Sequence, residues 1–339
     1  MIEVLRTGAL NTIQDLGRHG CLGWGVGTAG AMDDLALVVG NLLLGNDPGC
    51  AALEVQVFPL RLRFLLDGDF ALTGADAGAQ LDGLPLLPWA SHRARAGQVL
   101  RLGLPDVGAL HRSRAYLCLP GGVDVPRVLN SRSTQLRGAF GGLEGRALRT
   151  GDVLHAAAPR SEGASLALQP PELALPLRCE GSPAVRVLPA AEYERYTPAS
   201  QQALWLGEWK ITPQSDRYGF RLTGRALQPK APLEMRSHGI VPGVIQVPPD
   251  GQPIVQMRDA QPTGGYPKIG TVIAADLWRL GQMPIGSHIR FIETSWGEAR
   301  GAAISSSISS KRSTRARTRS SSTRPWTGGS CCTPRARPP

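Results

Sequence analysis

The stretch 239–268 gathers side chains that a core strand does not need: Gln246, Gln252 and Gln261, Asp250 and Asp259, Tyr266 and Lys268, set among prolines and short β-like runs. Each carboxamide presents a donor and an acceptor at once, so these glutamines suit an amide ligand. Asp259 follows Arg258 and precedes the turn Thr263-Gly-Gly-Tyr266, where a carboxylate can serve as a base or orient Lys268. Lys268 stands out by count. The chain has four lysines, Lys210, Lys230, Lys268 and Lys311, against 33 arginines, so arginine carries its bulk positive charge. A partly buried lysine can lose its proton and an arginine cannot, which gives a lysine inside a Gly-Gly-Tyr-Pro turn a place in proton transfer. The plainer readings are a surface lysine left by chance, an aspartate bonding turn amides, and glutamines facing solvent on strands.

Competing chemistry is weak elsewhere. Gly25-Val-Gly-Thr-Ala-Gly30 matches the dinucleotide fingerprint. The segment before it is not a strand and no βαβ alternation follows, so it reads as a loop at the start of a helix. There is no Gly-x-x-x-x-Gly-Lys phosphate loop, no Gly-x-Ser-x-Gly elbow and no Met-Lys-Met of a biotin carrier. The six histidines show no i, i+4 pairing, and no metal site is expected. The formal charge of +10 comes largely from residues 301–339, which hold eight basic residues and no acid. Residues 1–300 hold 29 basic and 27 acidic residues, with no basic face interleaved with aromatics, so no nucleic-acid partner is expected. No apolar run approaches the roughly 20 residues that span a bilayer. The opening Met1-Ile-Glu-Val-Leu-Arg lacks a signal-peptide pattern. Cys21, Cys50, Cys118 and Cys179 are scattered and read as free thiols. A cytoplasmic protein without a membrane partner is the expectation.

Those residues need a scaffold, and the spacing predicts a mainly β one. A helix is expected over 31–44, with Asp33 and Asp34 in its first turn and Gly45-Asn-Asp-Pro48 as its stop. A second, short helix is expected over 191–206. Leu60-Arg-Leu-Arg-Phe-Leu alternates, and Asp67-Gly68, Asp82-Gly83 and Asp250-Gly251 read as hairpin turns. Gly97-Gln-Val-Leu-Arg, Gly151-Asp-Val-Leu-His and Gly286-Ser-His-Ile-Arg repeat one phrase, a tight turn feeding a strand. Short strands at close spacing predict barrels or sandwiches. The expected division is a β-rich unit over 1–157, an Ala/Pro/Ser-rich linker over 158–183, a second β unit over 184–299, and a basic low-complexity tail over 300–339. That tail cannot bury a core. It is either a disordered basic arm or an out-of-frame C-terminus, and its lack of acids and abrupt Cys331-Cys332 fit the second better.

Several phrases carry a resemblance over about residues 3–299: Thr12-Ile-Gln-Asp-Leu-Gly-Arg, Gly30-Ala-Met-Asp, Ala52-Leu-Glu, Leu72-Thr-Gly-Ala-Asp, Arg114-Ala-Tyr-Leu, Gly121-Gly-Val-Asp-Val-Pro, Pro213-Gln-Ser-Asp-Arg-Tyr-Gly and the 239–268 stretch. The chain resembles the family of the 5-oxoprolinase C subunit, also described as allophanate hydrolase subunit 2 or biotin-dependent carboxyltransferase A/B. The resemblance implies two barrel-like parts, the C-terminal one cyclophilin-like, with a few short helices. It implies work in a 5-oxoprolinase complex with its A and B subunits, opening the lactam of 5-oxoproline to glutamate with ATP hydrolysed by the complex. A carboxyltransferase acting on a urea-like amide, with carboxybiotin from a separate carrier, is the first alternative. A non-enzymatic regulator antagonising a kinase inhibitor is the second. Within the 5-oxoprolinase expectation Asp259 and Lys268 form the proton-handling pair. Gln246, Gln252, Gln261, Gly264, Gly265 and Tyr266 position the substrate, and Asp15 and Arg18 lie at an inter-domain or inter-subunit surface. Pro262 stands where the family phrase has a threonine, and the Ser/Arg tail replaces a closing helix.

Overall fold

The computed structural model describes residues 1–105, 112–158, 167 and 177–303. The tail beyond 303 and most of the expected 158–183 linker lie outside the described residues. The fold is mainly β.

In the N-terminal half two sheets enclose one core. One has six strands in the order Val153–Leu154, Ile2–Arg6, Leu60–Phe64, Val99–Leu102, Gln80–Leu81, Leu84–Pro85. The other has five: Thr12–Gln14, Ala52–Val55, Ala115–Cys118, Gly68–Gly74, Ala90–Ala94. The two-residue period of a strand sorts their faces. Leu60, Leu62 and Phe64 point inward while Arg61 and Arg63 point out. Ile2, Val4, Leu62 and Leu100 of the first sheet meet Leu53, Val55, Phe70 and Leu117 of the second, each such burial contributing about 1.5–3 kcal/mol. The second sheet is covered on its other face too. There Ala52, Ala71, Tyr116 and Cys118 lie in one cluster with the helix α1, Asp34–Leu44. This helix starts later than the sequence predicts, because Asp33 is its cap: the carboxylate accepts the Ala36 N–H at 2.8 Å. Gly45, at φ 76°, ends it. Mid-helix Gly40 allows the close approach, since a Cβ there would stand 2.6 Å from Cys118 Sγ.

The C-terminal half is a barrel. Seven strands run Ser182–Pro189, Lys268–Val272, Val244–Gln246, Ile254–Gln256, Gly219–Thr223, Trp209–Ile211, His288–Glu293. The ring closes because His288–Glu293 pairs in parallel with Ser182–Pro189. Its interior holds Val185, Trp209, Phe220, Ile245, Val255 and Phe291. The expected helix over 191–206 is split into a 3-10 turn, Tyr193–Arg195, and α2, Pro198–Leu206. Thr197 caps α2 and Pro198 occupies its first position, where a missing N–H is harmless. A third helix, α3, covers Leu277–Gln282.

The expected turns divide. Asp82-Gly83 and Asp250-Gly251 each join antiparallel neighbours. Asp67-Gly68 does not: it carries the chain from one sheet to the other, since Leu60–Phe64 and Gly68–Gly74 belong to different sheets. Gly97, Gly151 and Gly286 all adopt φ near +90° (90°, 93° and 88°) just before strands. Among the described residues no helix is long and apolar enough to cross a membrane.

Candidate functional site

The two halves meet through backbone and through charge. Gly27 lies so close to the barrel that a Cβ would stand 2.6 Å from the Ala260 carbonyl oxygen, and one on Gly281 would stand 2.4 Å from that of Met32. The glycine-rich loop 25–30 therefore serves close packing across the junction. At its centre is Arg217, 4% exposed. Its Nε and Nη2 donate to the two oxygens of Asp259 at 3.0 and 2.9 Å. Its Nη1 donates to Glu54, and Nη2 also reaches the Gly30 carbonyl at 2.7 Å. Glu54 sits directly across from Tyr116 in the sheet register. Its second oxygen accepts the Tyr116 hydroxyl at 2.6 Å and the Met32 N–H at 2.8 Å. One guanidinium thus ties together a strand, the loop before α1 and the loop after strand Ile254–Gln256. Gln282 of α3 adds a second tie, accepting the Ser113 and Arg114 N–H groups and donating to Asp33 at 2.7 Å.

Burial sets the protonation of this cluster. It pushes the Asp259 carboxyl up, and Arg217 pulls it back only in part. Burial also acts on Glu54, but Arg217 and Arg114 outweigh it and leave that carboxyl below its ordinary value. Asp33 is raised to about 6, burial outweighing the nearby Arg112 guanidinium. A buried carboxylate with raised proton affinity beside a fixed cation is the pattern of a tuned acid–base group.

A cavity of about 570 Å³ opens on this junction. Six glutamines line it: Gln56 and Gln135 from the N-terminal half, Gln214, Gln246, Gln256 and Gln261 from the barrel. Asp259, Arg217, Tyr218, Tyr266 and Arg137 share the wall. Gln256 donates to Gln246 at 3.1 Å, and Gln246 donates to the Tyr266 carbonyl at 3.2 Å, so two buried carboxamides form a fixed ladder. Arg137 donates to the Tyr218 hydroxyl, which in turn donates to Gln261. The arrangement can hold a small polar molecule by paired donors and acceptors, with a carboxylate at hand.

The structure brings together Asp259, Gln246, Gln261 and Tyr266. Gly264 belongs with them, because a Cβ there would stand 2.5 Å from Gln246 Nε2; it ends a short strand, Thr263–Gly264, paired with His238–Gly239 where a turn was expected, and Gly265 follows it. Lys268 lies opposite Gln246 in the strand register but does not line the cavity. Asp259 and Lys268 are not paired with each other: Asp259 is held by Arg217, and Lys268 faces Glu192, which takes its backbone N–H at 3.0 Å and its ammonium at 3.7 Å. Gln252 is also outside, accepting the Gly224 N–H at 2.9 Å beside a surface turn. Asp15 and Arg18 are buried supports. Asp15 accepts from Ser131, Ser133 and the Arg132 N–H, and Arg18 donates to the Val128 and Ser133 carbonyls while stacking on Phe140. Both fix the loop that carries Gln135 and Arg137 into the cavity. The sequence reading assigned no role to Arg217, Glu54, Tyr116, Gln135, Arg137, Tyr218 or Gln256. Two signals were available: Glu54 is a charge in the otherwise apolar run Ala51–Val55, and Glu54, Tyr116, Arg217 and Tyr218 all stand in the phrases that carry the resemblance.

The family model described as carboxyltransferase domain, subdomain A and B, matches residues 24–293. The 5-oxoprolinase C subunit of Haemophilus influenzae is 44% identical over 299 residues, spanning 88% of this chain and 93% of that protein. The protein of the same name from Escherichia coli is 43% identical over 301 residues, with the same coverage of both. Among solved structures, the urea amidolyase of K. lactis superposes with a TM-score of 0.84 at 28% identity, covering 92% of this chain and 20% of that one.

Proposed function

The chain belongs to the carboxyltransferase subdomain A and B family, and we propose that it is the C-type subunit of an ATP-dependent 5-oxoprolinase. In this reading it opens the lactam of 5-oxoproline to L-glutamate together with companion A-type and B-type subunits, and is inactive alone. Residues 1–157 and 184–299 are the two working units, joined by 158–183. The observation that carries the reading is the Asp259–Arg217 pair in the wall of a glutamine-lined cavity. The ligand is a small planar amide. Carboxamide side chains match its N–H and C=O edges pairwise, and amide resonance makes its carbonyl a poor electrophile that needs fixed donors and a base. Ring opening adds a hydroxyl to the carbonyl carbon and a proton to the departing nitrogen. Asp259 is the group positioned to hold or pass that proton, with Arg217 fixing its orientation. Gln246, Gln256, Gln261 and Tyr266 position the ring.

The cavity is a poor match to a triphosphate. All the Arg217 nitrogens already meet Asp259, Glu54 or Gly30, which leaves Arg137 and Arg221, set in the same wall as the carboxylates of Asp216 and Asp259. We therefore assign ATP to the companion subunits. The test is ATP-dependent glutamate release by the co-expressed complex. Asp259→Asn is expected to lower kcat by about 10²–10⁴-fold while the complex still assembles. Undiminished turnover would remove Asp259 from the chemistry.

The likeness to the K. lactis urea amidolyase supports a second reading, carboxyl transfer to a urea-like amide with biotin on a separate carrier. Turnover abolished by avidin, and independent of 5-oxoproline, would select it.

A further inference from the structure

The outer face of the six-stranded sheet carries three arginines in one lateral row. Arg6 lies opposite Arg61, and Arg61 lies opposite Arg101, on three adjacent strands. All three are exposed. Like charges directly across a ladder repel, and no salt bridge or hydrogen bond from these side chains to another described residue forms. The neighbouring row shows the contrast: there Arg63 lies opposite Glu3 and pairs with it at 3.4 Å. Arg6 reaches its place through an irregularity. Val4 pairs with Leu62, yet the next pairing is Arg6 with Arg61, so a bulge inserts Leu5 and turns Arg6 to the outer face. Bulges of this kind re-aim side chains.

The row floors a shallow groove of about 650 Å³ whose wall includes Gln80, Asp82 and Pro59. The register continues from Arg101 to Gln80 and from Gln80 to Pro85, so the row runs to the sheet edge. One large apolar side chain is exposed on the same face there: Leu86 packs against the core, so the alternation turns Leu87 outward, 66% exposed. Arginine beside exposed leucine suits a protein contact, where cation and apolar surface are covered together. A small inorganic anion has no use for that leucine.

We propose that this face docks an acidic helix of a protein partner, with carboxylates at positions i, i+3 and i+7 meeting Arg6, Arg61 and Arg101. The spacings agree. Three adjacent strands span roughly 10 Å between the outer two, and seven residues of helix rise roughly 10.5 Å. Guanidinium groups hold carboxylates in two-point contacts, and the apolar flank of such a helix covers Leu87. The surface is separate from the glutamine-lined cavity, so it does not depend on which amide the cavity takes.

The probe is a synthetic helical peptide with glutamates at i, i+3 and i+7 and a leucine flank, its binding to the full chain followed by fluorescence anisotropy at about 20 mM and about 200 mM salt. Binding is expected at the lower salt, weakened at the higher. The Arg6→Gln/Arg61→Gln/Arg101→Gln variant is expected to bind about tenfold more weakly. Its urea midpoint should equal or exceed that of the wild type, because repulsion is relieved. Equal binding by the wild type and the triple variant would overturn the proposal. So would equal binding of a peptide with the same glutamates respaced off one helical face, or competition by tripolyphosphate at equal charge concentration, which would make the row a small-anion site.

Discussion

Arg217 and Lys268 each meet a glutamate, yet the two pairs have little else in common. Arg217 is 4% exposed, and its donors are matched to two carboxylates and a carbonyl drawn from both halves of the molecule. Among the described residues the Lys268 ammonium pairs with Glu192, at 3.7 Å and within the barrel half. Charges removed from water gain or lose several kcal/mol according to how completely they are matched. The same contact nearer solvent is worth about 0–1 kcal/mol. Location in the fold, more than residue type, therefore decides which of these cations governs the junction.

The largest effect expected from this contrast is at Arg217. Arg217→Met leaves Asp259 buried without its ion-pair partner and Glu54 with Arg114 alone, and should destabilise the chain by about 3–5 kcal/mol, read from urea unfolding. Adding Glu54→Gln and Asp259→Asn to Arg217→Met should recover part of that loss, since the stranded charges go with them. A loss under about 1 kcal/mol in the single variant would put Arg217 in the same class as Lys268 and dissolve the contrast.

Asp33 tests the junction through pH. Its carboxyl holds a proton up to about 6 in the fold, against an ordinary value of 3.8, because burial disfavours the charged form. The folded state therefore binds this proton more tightly than the unfolded one. Its stabilising contribution is complete below about pH 4, declines as pH rises through about 6, and is gone above that. Asp33→Asn keeps an acceptor for the Ala36 N–H and removes the ionisation. The variant should be more stable than the wild type at neutral pH by up to about 3 kcal/mol. The difference should shrink toward zero near pH 4, followed by urea unfolding across that range. A pH-independent difference would place the cause outside the carboxyl.

Strand periodicity and turn glycines made the β architecture legible, because both are local: Leu60, Leu62 and Phe64 alternate with arginines, and Gly97, Gly151 and Gly286 mark the strands that follow them. Asp67-Gly68 has the same composition as a hairpin turn and does another job, since the choice of sheet is made by distant pairing. The stretch 239–268 drew notice through its polar residues, and Gln246, Asp259, Gln261 and Tyr266 of it line the cavity. What pairs with it was not legible. Glu54 and Asp259 are 205 positions apart and meet through Arg217, whose phrase Pro213–Gly219 carried the family resemblance without pointing to either partner. Asp15 and Arg18 drew notice as polar residues, yet buried polar groups must be satisfied wherever they serve. Here they serve the loop that delivers Gln135 and Arg137.

The smallest expected effect is at Lys268, and it bears most directly on how rarity should be read. A lysine in a chain dominated by arginine attracted the proton-transfer assignment, and the fold gives that residue a simpler place. Its backbone N–H is fixed by Glu192 and its ammonium stands beside the same carboxylate, while the cavity wall is built from other residues. Lys268→Met keeps the stem and the backbone bond and removes one partly exposed ion pair, which should cost at most about 1 kcal/mol. Glutamate release by the assembled complex should change by no more than about twofold, because no contact with the Asp259 carboxylate is lost. Turnover abolished at unchanged stability would show the ammonium reaching the reacting amide once the companion subunits are in place. The count of lysines would then have pointed to the chemistry more directly than the distances within this one chain.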